Sequence, residues 1–229
     1  MRAATRHDRP AVTAVVLAAG GSSRLGTPKQ LVRHRGRTLL EHATDAAAHA
    51  TGRRVIVVIG ADGIRLRALL ARRYGARAVN VVRHARWRSG LAGSLRHGLR
   101  AVPSDADAVL LVLSDQPFVA GRSLDRLLVA WRRRPGRAAA ARYAARVGVP
   151  AIVPRRQLRA LRSISGDVGA RHVLTSDRRV TAVDLPEAAF DVDTPADLRA
   201  LSRDRAARRV RRFLRPSQTQ RGSPRGSRS

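Results

Sequence analysis

The segment VTAVVLAAGGSSRLGTPKQ, Val12 to Gln30, decides the fold. Its opening run to Leu17 is almost wholly apolar and reads as a strand buried on both faces. The chain then turns abruptly to small residues, Ala18, Ala19, Gly20, Gly21, Ser22 and Ser23, before Arg24, Gly26, Pro28 and Lys29. A buried strand that ends in a Gly/Ser loop puts backbone N–H groups at the C-terminal edge of a sheet. Glycine lets such a loop approach a ligand closely, and free N–H groups there form a nest for an anion. Two cations in the same loop make phosphate the natural ligand. A plain strand-to-helix loop with two surface cations accounts for the same residues, and the segment is neither GxGxxG nor GxxxxGK[ST]. One fact of composition favours the phosphate reading. Of 46 basic residues, Lys29 is the single lysine. Lysine supplies a compact ammonium that can follow a moving phosphate, where arginine supplies a rigid fork.

Outward from this segment, 229 residues suffice for one α/β domain with a sizeable core. Aromatics make up only 3 %, so that core is built from Ala, Val, Leu and Ile. The absence of cysteine excludes disulfides, thiolate metal sites and a cysteine nucleophile. No apolar run approaches the roughly 20 residues of a membrane helix. The N-terminus MRAATRHDRP lacks the apolar stretch of a secretory signal, so a cytoplasmic location is expected.

The formal net charge is +30. Ten arginines against Asp204 follow Ser202, and the first nine residues add a further +2, which leaves +19 for the body. Such a charge favours anionic partners. Arginine is spread through the chain, however, aromatics are scarce, and no nucleic-acid-binding signature is present. A general arginine bias with a solvated basic surface is the better account, with nonspecific nucleic-acid binding at low salt.

The remaining chain alternates strands and helices. Thr38 and Glu41 have capping-box spacing before a helix Leu39 to Ala50 that stops at Gly52. Strands are expected at Val55 to Gly60, Ala78 to Val82 and Ala108 to Leu113, with helices at Ile64 to Tyr74 and Leu124 to Trp131. Gly90, Ser94 and Gly98 recur every four residues, a stripe that suits either close packing on the sheet or contact with a flat base or ribose. A hairpin is expected from Ala138 to Val153, turning at Gly148, and a basic helix from Arg155 to Ile164. The order predicts a three-layer α/β/α sandwich, Rossmann-like, with a mostly parallel sheet. Residues 1–10 read as a disordered lead-in, 11–202 as the domain, and 203–229 as an Arg-rich, largely disordered tail.

Two carboxylate sites follow. Asp115 ends the most apolar strand, where open α/β sheets place their chemistry; it could equally cap a turn. Asp191 and Asp193 lie two apart, and one of them is expected to face a metal while the other is structural. Thr194 or Asp193 caps a helix with Pro195 at its first position. The loop Ser165 to Leu174, with Asp167, Gly169 and Arg171, could hold an anion or a polar ring, or simply cap its helix.

These motifs occur together in one order: LAAGGSSRLGTPKQL, WxxGxxxSLxxGL (Trp87 to Leu99), DQP (Asp115 to Pro117), GVPA (Gly148 to Ala151), GDxGAR (Gly166 to Arg171) and DVDTPADL (Asp191 to Leu198). The set resembles the molybdenum-cofactor nucleotidyltransferases, most closely the cytidylyltransferases of the MobA-like NTP transferase group, over roughly Val12 to Leu201. The resemblance implies a nucleotide-diphospho-sugar transferase type of fold and transfer of CMP from CTP to a molybdopterin-type cofactor, with release of pyrophosphate. It implies that Leu17, Ala18, Ala19 and Gly20 bracket the base, that Gly21, Ser22, Ser23, Arg24 and Lys29 hold the triphosphate, and that Gly90 and Ser94 touch base or ribose. It further implies that Asp115 and Asp193 hold Mg2+, with Lys29, Arg24 and Asp115 as the catalytic set. Pro150, Asp167, Gly169 and Arg171 would face the cofactor substrate, and a molybdenum hydroxylase is the implied acceptor enzyme. Relatives with LAAG and DQP tend to use CTP, those with LAGG and DMP guanine nucleotides. The chain departs from the pattern at Val149, at Val153 and in its tail. Transfer to a different phosphate acceptor, or a non-catalytic cofactor carrier, are the alternative readings.

Overall fold

The structure, a computed structural model, describes residues 10–75, 78–164, 174 and 179–203. The lead-in before residue 10, the tail after 203 and the loop that carries Asp167, Gly169 and Arg171 lie outside the described residues.

The apolar run forms β1 (Val12–Ala18), buried at every position. It pairs in parallel with β4 (Val55–Ile59) on one side and β6 (Ala108–Leu113) on the other, and β4 pairs in parallel with β5 (Asn80–Arg83). Parallel neighbours need crossovers. These are helices α1 (Leu39–Thr51), α2 (Gly63–Tyr74) and α3 (Leu91–Arg100). A hairpin of β2 (Arg33–His34) and β3 (Arg37–Thr38) precedes α1. The Thr38 hydroxyl accepts from the Glu41 N–H at 3.2 Å, the Glu41 carboxylate accepts from the Thr38 N–H at 2.7 Å, and Gly52 ends the helix with φ +61°. Start and stop are therefore the ones expected.

Beyond β6, helix α4 (Gly121–Arg133) leads to β7 (Ala139–Tyr143) and β8 (Arg146–Pro154). Strand β8 runs antiparallel to both β6 and β7, and β9 (Thr181–Asp184) pairs in parallel with β7. The seven strands stand in the order β5-β4-β1-β6-β8-β7-β9. Helices α5 (Leu158–Ser163) and α6 (Pro195–Ser202) complete the described chain. The hairpin turn differs from expectation. It falls at Ala144 and Ala145, both at positive φ, while Gly148 lies inside β8, where a Cβ would stand 2.7 Å from the Tyr143 hydroxyl.

Alternation along β1 splits the core into two layers. Ala14, Val16 and Ala18 pack with Leu40, Ala47, Leu124, Leu128 and Trp131, whereas Val15, Leu17 and Ala19 pack with Ala92, Leu95, Leu99 and Leu161. Each fully buried leucine contributes about 1.5–3 kcal/mol relative to exposure. Gly98 lets α3 press on the sheet, since a Cβ there would lie 2.7 Å from both Val15 and Val58. The result is the three-layer, mostly parallel α/β sandwich.

The chain moves outward from β1 to β4 and β5, then returns to β6 on the opposite side of β1. That reversal opens a crevice beyond the carboxyl ends of β1 and β6. Leu17 is in register with Leu113, and the Ser114 N–H donates to the Leu17 carbonyl at 3.2 Å. The register therefore sets the Gly/Ser loop beside Asp115.

Candidate active site

The loop after β1 is shaped by its own side chains. Ser22 adopts φ +54°, and its carbonyl accepts from the Leu25 and Gly26 N–H groups. Its hydroxyl accepts from the Lys29 N–H at 3.0 Å. Gln30 is buried and donates from Nε2 to the carbonyls of Ala18 at 3.0 Å and Gly20 at 2.8 Å. Leu25 anchors the loop in a small apolar cluster with Val32, Leu39, Val192 and Leu201. With carbonyls and hydroxyls so engaged, the N–H groups of Gly21 to Arg24 donate to no group among the described residues. Unpaired backbone donors of this kind suit an anion.

Two carboxylates converge on the lysine of this loop. Lys29 Nζ donates to Asp115 Oδ2 at 2.6 Å and to Asp193 Oδ1 at 2.7 Å, and Arg24 donates to Asp193 Oδ2 at 3.0 Å. Asp115 comes from the end of β6. Asp193 comes from the segment before α6, where Thr194 caps the helix in a box with Asp197 and Pro195 holds the first position. The Val192 N–H donates to the Asp115 carbonyl at 3.0 Å, tying that segment to the sheet. The other oxygen of Asp115, Oδ1, is buried and has no hydrogen-bond partner among the described residues.

Residues 190–193 are irregular chain, and in a strand residues two apart would share a face, so no alternation separates Asp191 from Asp193. Although Asp191 is solvent-exposed as a residue, its carboxyl is pushed up, first by desolvation and then by the charges of Asp115 and Asp193. For Lys29, burial pulls the ammonium down, but Asp115 and then Asp193 outweigh it and hold the group above its ordinary value. For Asp193, burial pushes up, but the bond and charge of Lys29 and the charge of Arg24 win, and the carboxyl is held low.

The cleft over this cluster encloses about 520 Å³, within the size range of small-molecule sites. Leu17, Ala18, Ala19, Gly20, Gly21, Ser23, Arg24, Lys29, Gly90, Ser94, Asp115 and Asp193 all line it. Ser22 is not among the lining residues and serves the loop internally. Pro150 is buried in β8 and does not line this cleft. The stripe on α3 divides, with Gly90 and Ser94 in the cleft and Gly98 against the sheet.

Residues 14–183 match the MobA-like NTP transferase domain. The chain belongs to that family. It is 37% identical over 173 residues to nicotine blue oxidoreductase of Paenarthrobacter nicotinovorans, covering 72% of this chain and 81% of that one. Two structures of Rv0371c from Mycobacterium tuberculosis H37Rv, the second in complex with manganese, are 37% and 32% identical. Each has a TM-score of 0.68 and covers 83% of this chain and 97% of its own. The 2-C-methyl-D-erythritol 4-phosphate cytidylyltransferase of Thermobifida fusca is 36% identical over 124 residues, 52% of this chain and 49% of its own.

Within this MobA-like domain, sequence reasoning missed four contributors. Gln30 was passed over because a buried glutamine that bonds backbone carbonyls has no periodic signal. Gln116 donates from Nε2 to the carbonyls of Val149 at 3.2 Å and Ala188 at 2.9 Å, tying the end of β6 to β8 and to the 3-10 turn Pro186–Ala189. Trp87 and Arg88 also line the cleft, with the indole against the loop at Gly21. The indole is what Gly21 and Gly60 accommodate. A Cβ on Gly21 would lie 2.6 Å from its six-membered ring, and one on Gly60 would lie 2.5 Å from Trp87 Cβ and 2.6 Å from the Ala19 carbonyl. The one available signal was that two glycines and a tryptophan fall at three strand ends.

Proposed function

We propose that this protein is a nucleotidyltransferase that moves CMP from CTP to the phosphate of a molybdopterin-type molybdenum cofactor, with release of pyrophosphate. The observation that carries the reading is the convergence of Lys29, Asp115 and Asp193 beneath a loop of free backbone N–H groups. Family membership supports nucleotidyl transfer. The choice of CTP and of the acceptor draws on the motif set LAAG, DQP and GDxGAR.

In the reaction, an oxygen of the acceptor's phosphate monoester attacks the α-phosphorus of CTP. A new P–O bond forms, and the bond from the α-phosphorus to the bridging oxygen breaks. Pyrophosphate leaves with the bonding pair. The attacking oxygen is largely ionised at neutral pH, so no general base is required, and the site needs only to align the reactants and neutralise charge. The loop N–H groups hold the phosphates, and Gly90 and Ser94 leave room for base and ribose. Lys29 and Arg24 face the charge that develops on pyrophosphate.

The donor set also suits a divalent cation. Asp115 and Asp193 present hard oxygens to one point, and Asp115 Oδ1 is a buried acceptor without a partner among the described residues. Those two residues would hold Mg2+, which would supply further neutralisation of the triphosphate.

The experiment is pyrophosphate release from CTP, GTP and ATP in separate reactions with Mg2+ and molybdenum cofactor. Release with CTP alone, lost in Asp115→Ala, is expected. Release with GTP moves the nucleotide assignment, and release only with another phosphate acceptor moves the substrate. The oxidoreductase name belongs to the P. nicotinovorans relative. An oxidoreductase or a cofactor carrier would turn over or bind without cleaving the nucleotide, so a folded protein that releases no pyrophosphate rejects the proposal.

A further inference from the structure

Three cations line the cleft: Arg24, Lys29 and Arg88. The first two are engaged, Arg24 by Asp193 and Lys29 by Asp115 and Asp193. Arg88 forms no ion pair among the described residues. Its guanidinium instead lies 4.5 Å from the centroid of the Trp87 ring, a cation–π arrangement that positions the group without neutralising it. The same indole abuts the phosphate loop at Gly21. The neighbourhood adds no negative charge, since residues 83–100 contain five arginines and two histidines and no Asp or Glu. The His84 imidazole is pulled down first by burial and then by the nearby His97 and Arg96.

We infer that Arg88, propped on Trp87, is a phosphate-binding residue of the nucleotide site, and that it sets the preference for the triphosphate over shorter phosphate chains. The inference rests on the nucleotidyltransferase reading and extends it to a residue outside the loop. The loop cations are held by carboxylates until a ligand or a metal competes for them. Arg88 is therefore the cation in the cleft whose charge is available to an incoming polyphosphate. A guanidinium binds two phosphate oxygens at once, so a ligand with phosphate groups enough to engage both the loop and Arg88 gains most. Trp87 gives the pair an optical reporter, because the second tryptophan, Trp131, is 1% exposed and packs on the opposite face of the sheet.

The test is titration of the full chain with CTP, CDP, CMP and inorganic pyrophosphate, read by intrinsic fluorescence and by calorimetry. CTP binding should change the emission, and Trp87→Phe should abolish that change while calorimetry still detects heat. Arg88→Ala should weaken CTP about tenfold, leave CMP unchanged, and flatten the salt dependence of CTP binding. Arg88→Lys should recover part of the loss. Arg132→Ala, which removes one positive charge from α4 on the far layer, should leave CTP affinity unaltered. Equal loss in Arg132→Ala and Arg88→Ala would show that net charge alone acts, and an Arg88→Ala protein with wild-type CTP affinity would overturn the inference while the nucleotide site stands. Failure of the wild-type protein to bind any nucleotide would overturn the underlying reading as well.

Discussion

Lys29 and Asp115, 86 residues apart in sequence, meet at 2.6 Å with their side chains 16% and 14% exposed. The contact joins the loop after β1 to the end of β6, so its geometry is a direct product of the parallel register between those strands. It also explains why the single lysine of an arginine-rich chain stands here. A compact ammonium fits between two carboxylates, where a guanidinium would splay them.

Replacement of Lys29 should therefore act on chemistry and on the two aspartates at once. Lys29→Ala is expected to lower turnover by about 10²–10³-fold, the scale for losing one positioned charge in the transition state. Lys29→Arg should fail to restore it. Without the ammonium, Asp115 and Asp193 repel each other, so Mg2+ should raise the melting temperature more in Lys29→Ala than in the wild type. Thermal denaturation with and without Mg2+ checks this, and equal shifts would show that the carboxylates do not share a cation site.

The same cluster sets a pH dependence. Asp193 is held below the ordinary carboxylate range because Lys29 and Arg24 outweigh the upward push of burial. A carboxylate lowered on folding stabilises the protein above its unfolded value, and that contribution is lost as pH falls through the folded value. Lys29 is raised on folding, so its contribution is complete below its ordinary value of 10.5 and is lost only at higher pH. Stability from this pair should thus be flat across neutral pH and fall below about pH 4. Asp193→Asn should flatten that acid limb in urea denaturation series; parallel curves for variant and wild type would reject the assignment.

The glycines of the site are not equivalent. Gly20 has nothing within 4 Å of a built Cβ, and Gly60 has the Ala19 carbonyl at 2.6 Å and Trp87 at 2.5 Å. Gly20→Ala should melt within a few degrees of the wild type. Gly60→Ala should lose about 1–3 kcal/mol, because backbone cannot move aside as a flexible side chain can. It should also shift Trp87 emission. Equal melting curves for the two variants would show that the indole is free to relocate.

How much of this was legible depends on the kind of signal. The core of β1, the capping box of Thr38 and Glu41, and the carboxylate at the end of β6 follow from local pattern. The hairpin turn was missed because Ala144 and Ala145 occupy positive φ, a conformation that alanine does not advertise and glycine does. Nothing local separates Asp191 from Asp193, because residues two apart share a face in a strand and residues 190–193 are irregular. Trp87 meets Gly21 and Gly60 only when strand ends come together, and Gln30 folds its amide back onto the carbonyls of Ala18 and Gly20; spacing along the chain carries neither contact.

Gln30 provides the last prediction. Its amide spans two carbonyls, Ala18 at 3.0 Å and Gly20 at 2.8 Å, and these flank the point where the strand gives way to the nest. Such carbonyls, if left facing the cleft, would oppose an anion. The side chain thus satisfies two acceptors and frees the following N–H groups to face the ligand. Gln30→Ala should cost about 1–3 kcal/mol in stability through the lost buried bonds. Gln30→Glu should cost more, since a carboxylate would confront both carbonyls without a proton to donate. Nucleotide affinity should fall in both variants, and in Gln30→Glu it should partly recover as the pH is lowered and the carboxyl regains its proton. Urea denaturation and CTP calorimetry at pH 7.5 and 5.5 measure the two effects; a Gln30→Glu protein with wild-type stability at neutral pH would show that the amide does not hold the loop.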